Sequence, residues 1–272
     1  MAGLQPLYQD EDLNYFKFSS LVLNEFPKAL RQTFKTMWDN TYGHRPGFQH
    51  WDDSTAVRNL FATAEGGRTK VPVDRSYEEW DCTALFKATI YSPAFDLGHG
   101  TLNDVYVKPR GLSHGHFHPS VVSTTGNNQE TQALAIDQLR LLRNFLCHST
   151  SSKITKVTFD QYVKYAKDAF QALGVSTAFI DDVGSLSESD FPTNEVHRLR
   201  QGISLETVKL DLDELKESVA SKKDVALIKD DLQMIVQKAV RDGLKGSVTN
   251  REDIDMSPRK EGESKGRVRF TV

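Results

Sequence analysis

The chain has 272 residues, 38% of them hydrophobic and 10% aromatic, enough to bury a real core in one domain with extensions or in two small domains. Its 34 Lys+Arg against 37 Asp+Glu give a formal net charge of −3. That balance excludes a global electrostatic drive toward nucleic acid and leaves only local basic patches open. Cys82 and Cys147 are the two cysteines and show no CxxC spacing, which argues against a cysteine-built zinc site and a disulfide scaffold. The acidic start MAGLQPLYQDED lacks a basic-then-apolar signal pattern. No apolar run reaches the roughly 18 residues of a membrane helix, so the expectation is a soluble, cytoplasmic protein.

Residues 11–42 read as helix, because Phe16, Val22, Leu23, Phe26, Leu30, Phe34, Met37 and Trp38 recur at spacings close to 3 and 4. Pro27 either kinks one long helix or starts a second, since it removes an amide donor and clashes with the preceding turn. A short helix over 53–64 ends at Gly66-Gly67. Ser76 followed by Glu79 reads as a capping box that opens a helix near Tyr77, burying Trp80, Ala84, Leu85 and Ala88. Residues 92–128 are rich in Gly, Pro, His, Ser and Asn and form a long central loop, with a short helix or an extended strand at 102–107. Helix returns over 130–147 on the stripe Ile136, Leu139, Leu142 and Leu146. A second capping box, Thr158 to Gln161, opens a helix carrying Phe159, Tyr162, Val163, Ala166, Phe170 and Leu173, and Gly174 stops it. A short helix over 176–183 follows. The fold class expected is all-α, an antiparallel helical bundle over 11–185 with a decorated central loop.

Past the bundle the character changes. Residues 186–195 read as a linker, and 196–243 as a charged, coiled-coil-like helical region. There Val208, Leu212, Leu215 and Val219 repeat, as do Ile228, Leu232, Ile235 and Ala239, out of phase across ASKKDV. Such helices assemble a homodimer or higher oligomer, or they pack back on the bundle. The polar stretch 244–272 is expected to be a disordered tail.

The stretch LRLLRNFLCHST, 139–150, ends an apolar stripe with Arg143, Asn144 and His148. Arg143 and His148 lie about 140° apart around a helix, yet at a helix end both tips can reach one pocket. The C-terminal dipole favours an imidazolium there. The set suits RNA cleavage by internal transfer. A histidine takes the 2′-hydroxyl proton or protonates the leaving oxygen, and an arginine stabilises the phosphorane. That chemistry requires no metal or cofactor. One arginine and one histidine are half of an acid/base pair, so a dimer facing two such sets is the natural completion. The plainer reading is a polar helix cap.

The pattern R-N-x-x-x-H at a helix end, with WDCTALFKATIYS (80–92), AIDQLRLLRNFLCHS (135–149) and TFDQYVKYAKDAFQALG (158–174), resembles the HEPN superfamily of higher-eukaryote and prokaryote nucleotide-binding domains. The likeness is to the version found in the DAZ-interacting RING ubiquitin ligase and in invertebrate proteins with immune-receptor-like architectures. It spans residues 11–185 and is most specific at 80–92 and 135–174. The resemblance implies a dimerising helical bundle with single-stranded RNA as partner. In active members the motif cleaves RNA without metal, which would fall on Arg143 and His148 with Asn144 as companion. Other members of this branch act in signalling, so the alternative is a non-catalytic oligomerising adaptor with protein partners in innate-immunity-type signalling. Two cysteines cannot build a RING finger, and ubiquitin transfer is not carried over.

Two further features invite a functional reading. His114, His116 and His118 alternate in SHGHFHPS, so an extended segment would present all three on one face to zinc or copper. No acidic residue stands close in sequence and the flanks are Gly and Pro, which favours a metal-free loop anchored by Phe117. Cys147 precedes His148, but adjacent helical residues point apart, so a buried thiol is expected rather than a nucleophile.

Overall fold

The computed structural model describes residues 8–95, 97, 103–111, 115–218 and 238. Among the described residues there is no strand, and the chain is all-α. Its helices are α1 Asp10–Ser20, α2 Phe26–Tyr42, α3 Thr55–Glu65, α4 Cys82–Phe86, α5 Asn128–His148, α6 Lys156–Ala172, α7 Ala178–Asp182 and α8 Thr193–Ser218. None is long and apolar enough to cross a membrane.

Between α1 and α2 the residues Leu21–Glu25 form a π turn, so Asp10–Tyr42 is one continuous helical rod. Pro27 sits in the first turn of α2. The widened turn before it absorbs the clash that a proline ring makes with the carbonyl four residues back. The rod's inner face centres on Phe34, whose ring meets Trp51 (4.6 Å), Phe61 (5.2 Å), Trp80 (5.4 Å) and Phe95 (5.6 Å) edge-on. Contacts of this kind add about 0.5–1.5 kcal/mol each beyond area burial.

Two helix starts differ from the capping boxes read in the sequence, each for a local reason. Ser76 and Tyr77 are drawn to Asp53, which accepts from the Ser76 hydroxyl (2.6 Å) and the Tyr77 amide (2.9 Å). Only a 3-10 turn, Tyr77–Glu79, forms there, and the helix starts at Cys82 behind Asp81, which accepts from the Ala84 amide (2.9 Å). At α6 the cap is Thr155, which accepts from the Thr158 amide (3.3 Å), so the helix begins earlier than Thr158. The far end of α6 is as expected: Gly174 has φ +68°, and the Val175 and Gly174 amides donate back to Phe170 and Gln171.

In the central loop the apolar segment takes the helical alternative, as a π turn Asn103–Val107 running into a 3-10 turn Lys108–Arg110. Arg110 stitches the loop together, donating to the carbonyls of Ser120 (3.0 Å) and Val122 (2.8 Å) and pairing with Glu130 (2.9 Å). Asn127 then caps α5, accepting from the amides of Gln129 and Glu130.

One compact unit extends to Lys222. The segment read as a linker is packed: Phe191 is buried against Phe16, and the Tyr8 amide donates to Glu188 (3.0 Å). Helix α8 lies on α1, α5 and the π turn. Its buried residues are Val196, Leu199, Ile203, Glu206 and Leu210, spaced 3, 4, 3, 4. Val208, Leu212 and Leu215, the stripe read as a coiled-coil seam, are only half-buried. A Cβ at Gly202 would lie 2.7 Å from a Leu23 methyl, so this glycine lets α8 settle closely onto the rod. Val219, the block Ile228, Leu232, Ile235 and Ala239, and the tail 244–272 lie outside the described residues.

Candidate functional site

Helix α5 owes its start to Asn127 and its seat to Ile136, Leu139, Leu142 and Leu146, each fully or almost fully buried. Those leucines fix the rotation of the helix, and so decide where Arg143, Asn144 and His148 point. Arg143 points inward. It is 1% exposed and among the largest fully buried side chains. One guanidinium nitrogen donates to Asn144 Oδ1 (3.0 Å) and another to Oγ1 of Thr83 on α4. Phe86 covers it from α4, with its ring centroid 5.6 Å from Cζ. Nε stands 3.5 Å from Oε2 of Glu206 on α8.

His148 ends α5 on the outside. Its side chain is 44% exposed, and Nε2 stands 3.8 Å from Oε1 of Glu214 on α8. The structure therefore pairs Arg143 with Asn144 and turns Arg143 inward while His148 faces solvent, in line with their ~140° separation around the helix; Asn144 and His148, four residues apart, share a helix face. Asn144 is half-buried between the two.

Around Arg143 lies a set of charges that the sequence reading did not collect. Lys209 Nζ bridges Asp81 (2.9 Å) and Glu206 (3.2 Å), so Arg143, Glu206, Lys209 and Asp81 form a chain of alternating sign across α5, α8 and α4. Burial alone would raise the Asp81 carboxyl, but the Ala84 amide and Lys209 outweigh it and hold the group below its ordinary value. For Lys209 burial opposes the charge, and Asp81 and Glu206 prevail, so its pKa is raised. The pair between Arg143 and Glu206 is imperfect. Arg143 Nε and Glu206 Oε2 are both buried and neither has a hydrogen-bond partner. Thr207 on α8 also brings its hydroxyl to 3.0 Å from the Cys147 carbonyl, one of the unpaired acceptors at the end of α5.

A signal for Glu206 exists in the sequence. In the progression 196, 199, 203, 206, 210 it is the one carboxylate on an otherwise apolar heptad stripe. A charge at such a position needs a partner of opposite sign. Thr83 and Asp81 lie within WDCTALFKATIYS, but only the fold shows that they meet Arg143 and Lys209.

The histidine loop resolves differently. His114 lies outside the described residues, His116 is exposed, and His118 is 1% exposed. The absence of an acidic neighbour holds along the sequence only. Asp137 of α5 places Oδ2 2.7 Å from His118 Nε2, and Arg140 bonds the other carboxylate oxygen (2.7 Å). The Asp137 carboxyl, which burial would raise, is held below its ordinary value by the hydrogen bond from His118 and the charge of Arg140. An ionised Asp137 can only accept, so Nε2 carries the proton. The His118 amide also donates to Gln138 Oε1 (2.8 Å). This arrangement pins the loop to the helix. Phe117 anchors beside it, 5.3 Å from Tyr165 and 5.4 Å from Tyr162. Among the described residues no group of three His, Cys, Asp or Glu is placed to hold a metal ion.

Both thiols are buried. Burial pushes Cys147 up to about 11, with Arg143 opposing, and raises Cys82 further. Neither is an activated nucleophile. No protein-family model, curated protein or solved structure matches the chain.

Proposed function

We propose that the chain is an RNA-binding helical bundle of the HEPN type, in which the end of α5, carrying Arg143, Asn144 and His148, is the site for the phosphodiester backbone of single-stranded RNA. The observation that carries the reading is the end of α5. An arginine, an amide and a histidine fall within two turns, and Arg143 and His148 each stand opposite a carboxylate of one other helix, α8. His148 is open to solvent and able to exchange protons with a ligand, and Asn144 accepts from the guanidinium. In this reading two copies face each other, one supplying the base and the other the acid, and Arg143 stabilises charge at phosphorus.

A second reading, a non-catalytic adaptor in signalling, is favoured by one observation: α4, α5 and α8 cover Arg143 on every side. One assay separates the two. Purified full-length protein is incubated with single-stranded RNAs in EDTA, comparing wild type with His148→Ala and Arg143→Lys. The expected result is cleavage leaving a 2′,3′-cyclic phosphate, lost in His148→Ala. No cleavage by wild type across RNAs of several sequences, or equal cleavage by both variants, overturns the nuclease reading. Light scattering on the full chain gives its mass, and a monomer overturns the facing-pair arrangement.

A further inference from the structure

We propose that α8 is a strap closing a phosphate site at the end of α5, with the Glu206 carboxylate standing where a phosphodiester oxygen of RNA binds Arg143. The proposal rests on the RNA reading above and goes beyond it by assigning a closed state and the element that closes it.

Three features of the contact point this way. First, the motif is met residue for residue: Glu206 stands 3.5 Å from Arg143, and Glu214, two turns on, 3.8 Å from His148. The strap thus presents one carboxylate to Arg143 and one to His148, the two residues that would meet RNA phosphates. Second, the central pair is badly satisfied for a buried one. Arg143 Nε and Glu206 Oε2 are both buried without hydrogen-bond partners, although Arg143 makes good bonds to Asn144 and Thr83. Buried ion pairs stabilise only with excellent geometry and further hydrogen bonds, and their best-attested use is as a register or switch element. A phosphate can accept from Nε directly, a bond that the carboxylate leaves unmade.

Third, the strap is fastened unevenly. Its first half is held by apolar burial, with Val196, Leu199 and Ile203 in the core and Gly202 seated on Leu23. Among the described side chains its second half is held by polar contacts, Glu206 to Arg143, Thr207 to the Cys147 carbonyl, Lys209 to Asp81 and the exposed Glu214 to His148, while Val208, Leu212 and Leu215 are only half-buried. Leu210 is its one fully apolar buried anchor there among the described side chains, and Leu205 is 61% exposed. Polar contacts exchange with solvent and anionic ligand at low net cost, whereas apolar burial does not. Lifting residues from Glu206 onward therefore uncovers Arg143 while the start of α8 stays in place.

The test uses the full chain with Glu206→Gln and the double variant Glu206→Gln/Glu214→Gln. Both keep side-chain size and remove charge. Binding of fluorescein-labelled single-stranded RNA and of inorganic pyrophosphate is measured, together with hydrogen exchange of the amides of 204–215. The double variant is expected to bind RNA about tenfold or more tightly than wild type, a gain of roughly one buried charge contact. Adding Arg143→Lys should erase the gain. RNA added to wild type should speed exchange over 204–215, a readout that needs no variant to fold. If wild type binds RNA, but neither the charge removals nor ligand changes affinity or exchange, the strap is refuted and the RNA reading stands. If no protein binds RNA, but the double variant binds pyrophosphate through Arg143, the strap stands and the RNA reading falls. If the double variant binds neither probe, the strap is refuted.

Discussion

Arg143→Ala tests the assignment of that residue as the joint between α4, α5 and α8. Two charges 3.5 Å apart attract by about 5 kcal/mol at an effective dielectric constant near 20, before desolvation is subtracted. The Arg143 and Glu206 side chains are 2% and 10% exposed, so solvent screening is slight. Removing the guanidinium leaves the buried Glu206 carboxylate with Lys209 as its cationic partner, takes a donor from Thr83 and from Asn144, and opens a void beside Phe86. Breaking a buried pair in this way costs about 3–5 kcal/mol. For a unit of this size the melting temperature should fall on the order of 10 °C. Replacing both charges at once, Arg143→Met with Glu206→Leu, should cost far less, because no charge is then left alone. Urea unfolding of wild type, both single variants and the double variant followed by far-UV circular dichroism gives the coupling energy directly. A loss below about 1 kcal/mol for Arg143→Ala, or a double variant as unstable as the sum of the singles, would show that the pair is not the joint.

Other consequences can be measured independently. Asp81 and Asp137 are both held below the ordinary carboxylate value. Their ionised forms therefore stabilise the fold above the unfolded pKa of about 3.9, and that stability drains away as pH falls through the folded values. The urea midpoint should hold down to about pH 5 and then fall, more shallowly in Asp137→Asn; a midpoint that rises on acidification contradicts the assignment. Cys82 and Cys147 should resist iodoacetamide near neutral pH in the folded chain and both react in urea, as counted by intact mass; rapid labelling of either in the native state would refute its burial. Gly174→Ala has open space but must keep φ +68°, so it should lose about 1 kcal/mol through backbone strain alone, a shift of a few degrees in melting temperature. A larger loss would mean that the added methyl group also meets steric contact.

The helices of this fold were legible wherever one periodic stripe coincided with one buried face, as in α5 and α6. Legibility failed where long-range contacts competed with a local motif. Ser76 caps only a 3-10 turn, accepting from the Glu78 amide, while its hydroxyl donates to Asp53, 23 residues earlier, and the helix itself starts at Cys82. Pro27 marks an irregularity without saying which kind, because the choice between a break and a π turn depends on how both halves pack. In α8 two stripes compete. The more apolar one, Val208, Leu212 and Leu215, reads as the seam, while burial goes to the stripe interrupted by Glu206. The glutamate makes the correct face look worse, and only Arg143 across the gap explains why it is there. The same holds for His118, whose carboxylate partner lies 19 residues away.

The closure of Tyr8 and α1 against Glu188, Phe191 and α8 has a consequence in time. Partners 180 residues apart in the chain form one wall of the bundle. At about 5–20 residues per second, α1 waits roughly 10–40 s after its own synthesis for the surface that covers it. During that interval the side of α1 that Phe191 and α8 cover stays open on the nascent chain. Among the described helices the wall over α1 is thus completed late, when α8 arrives.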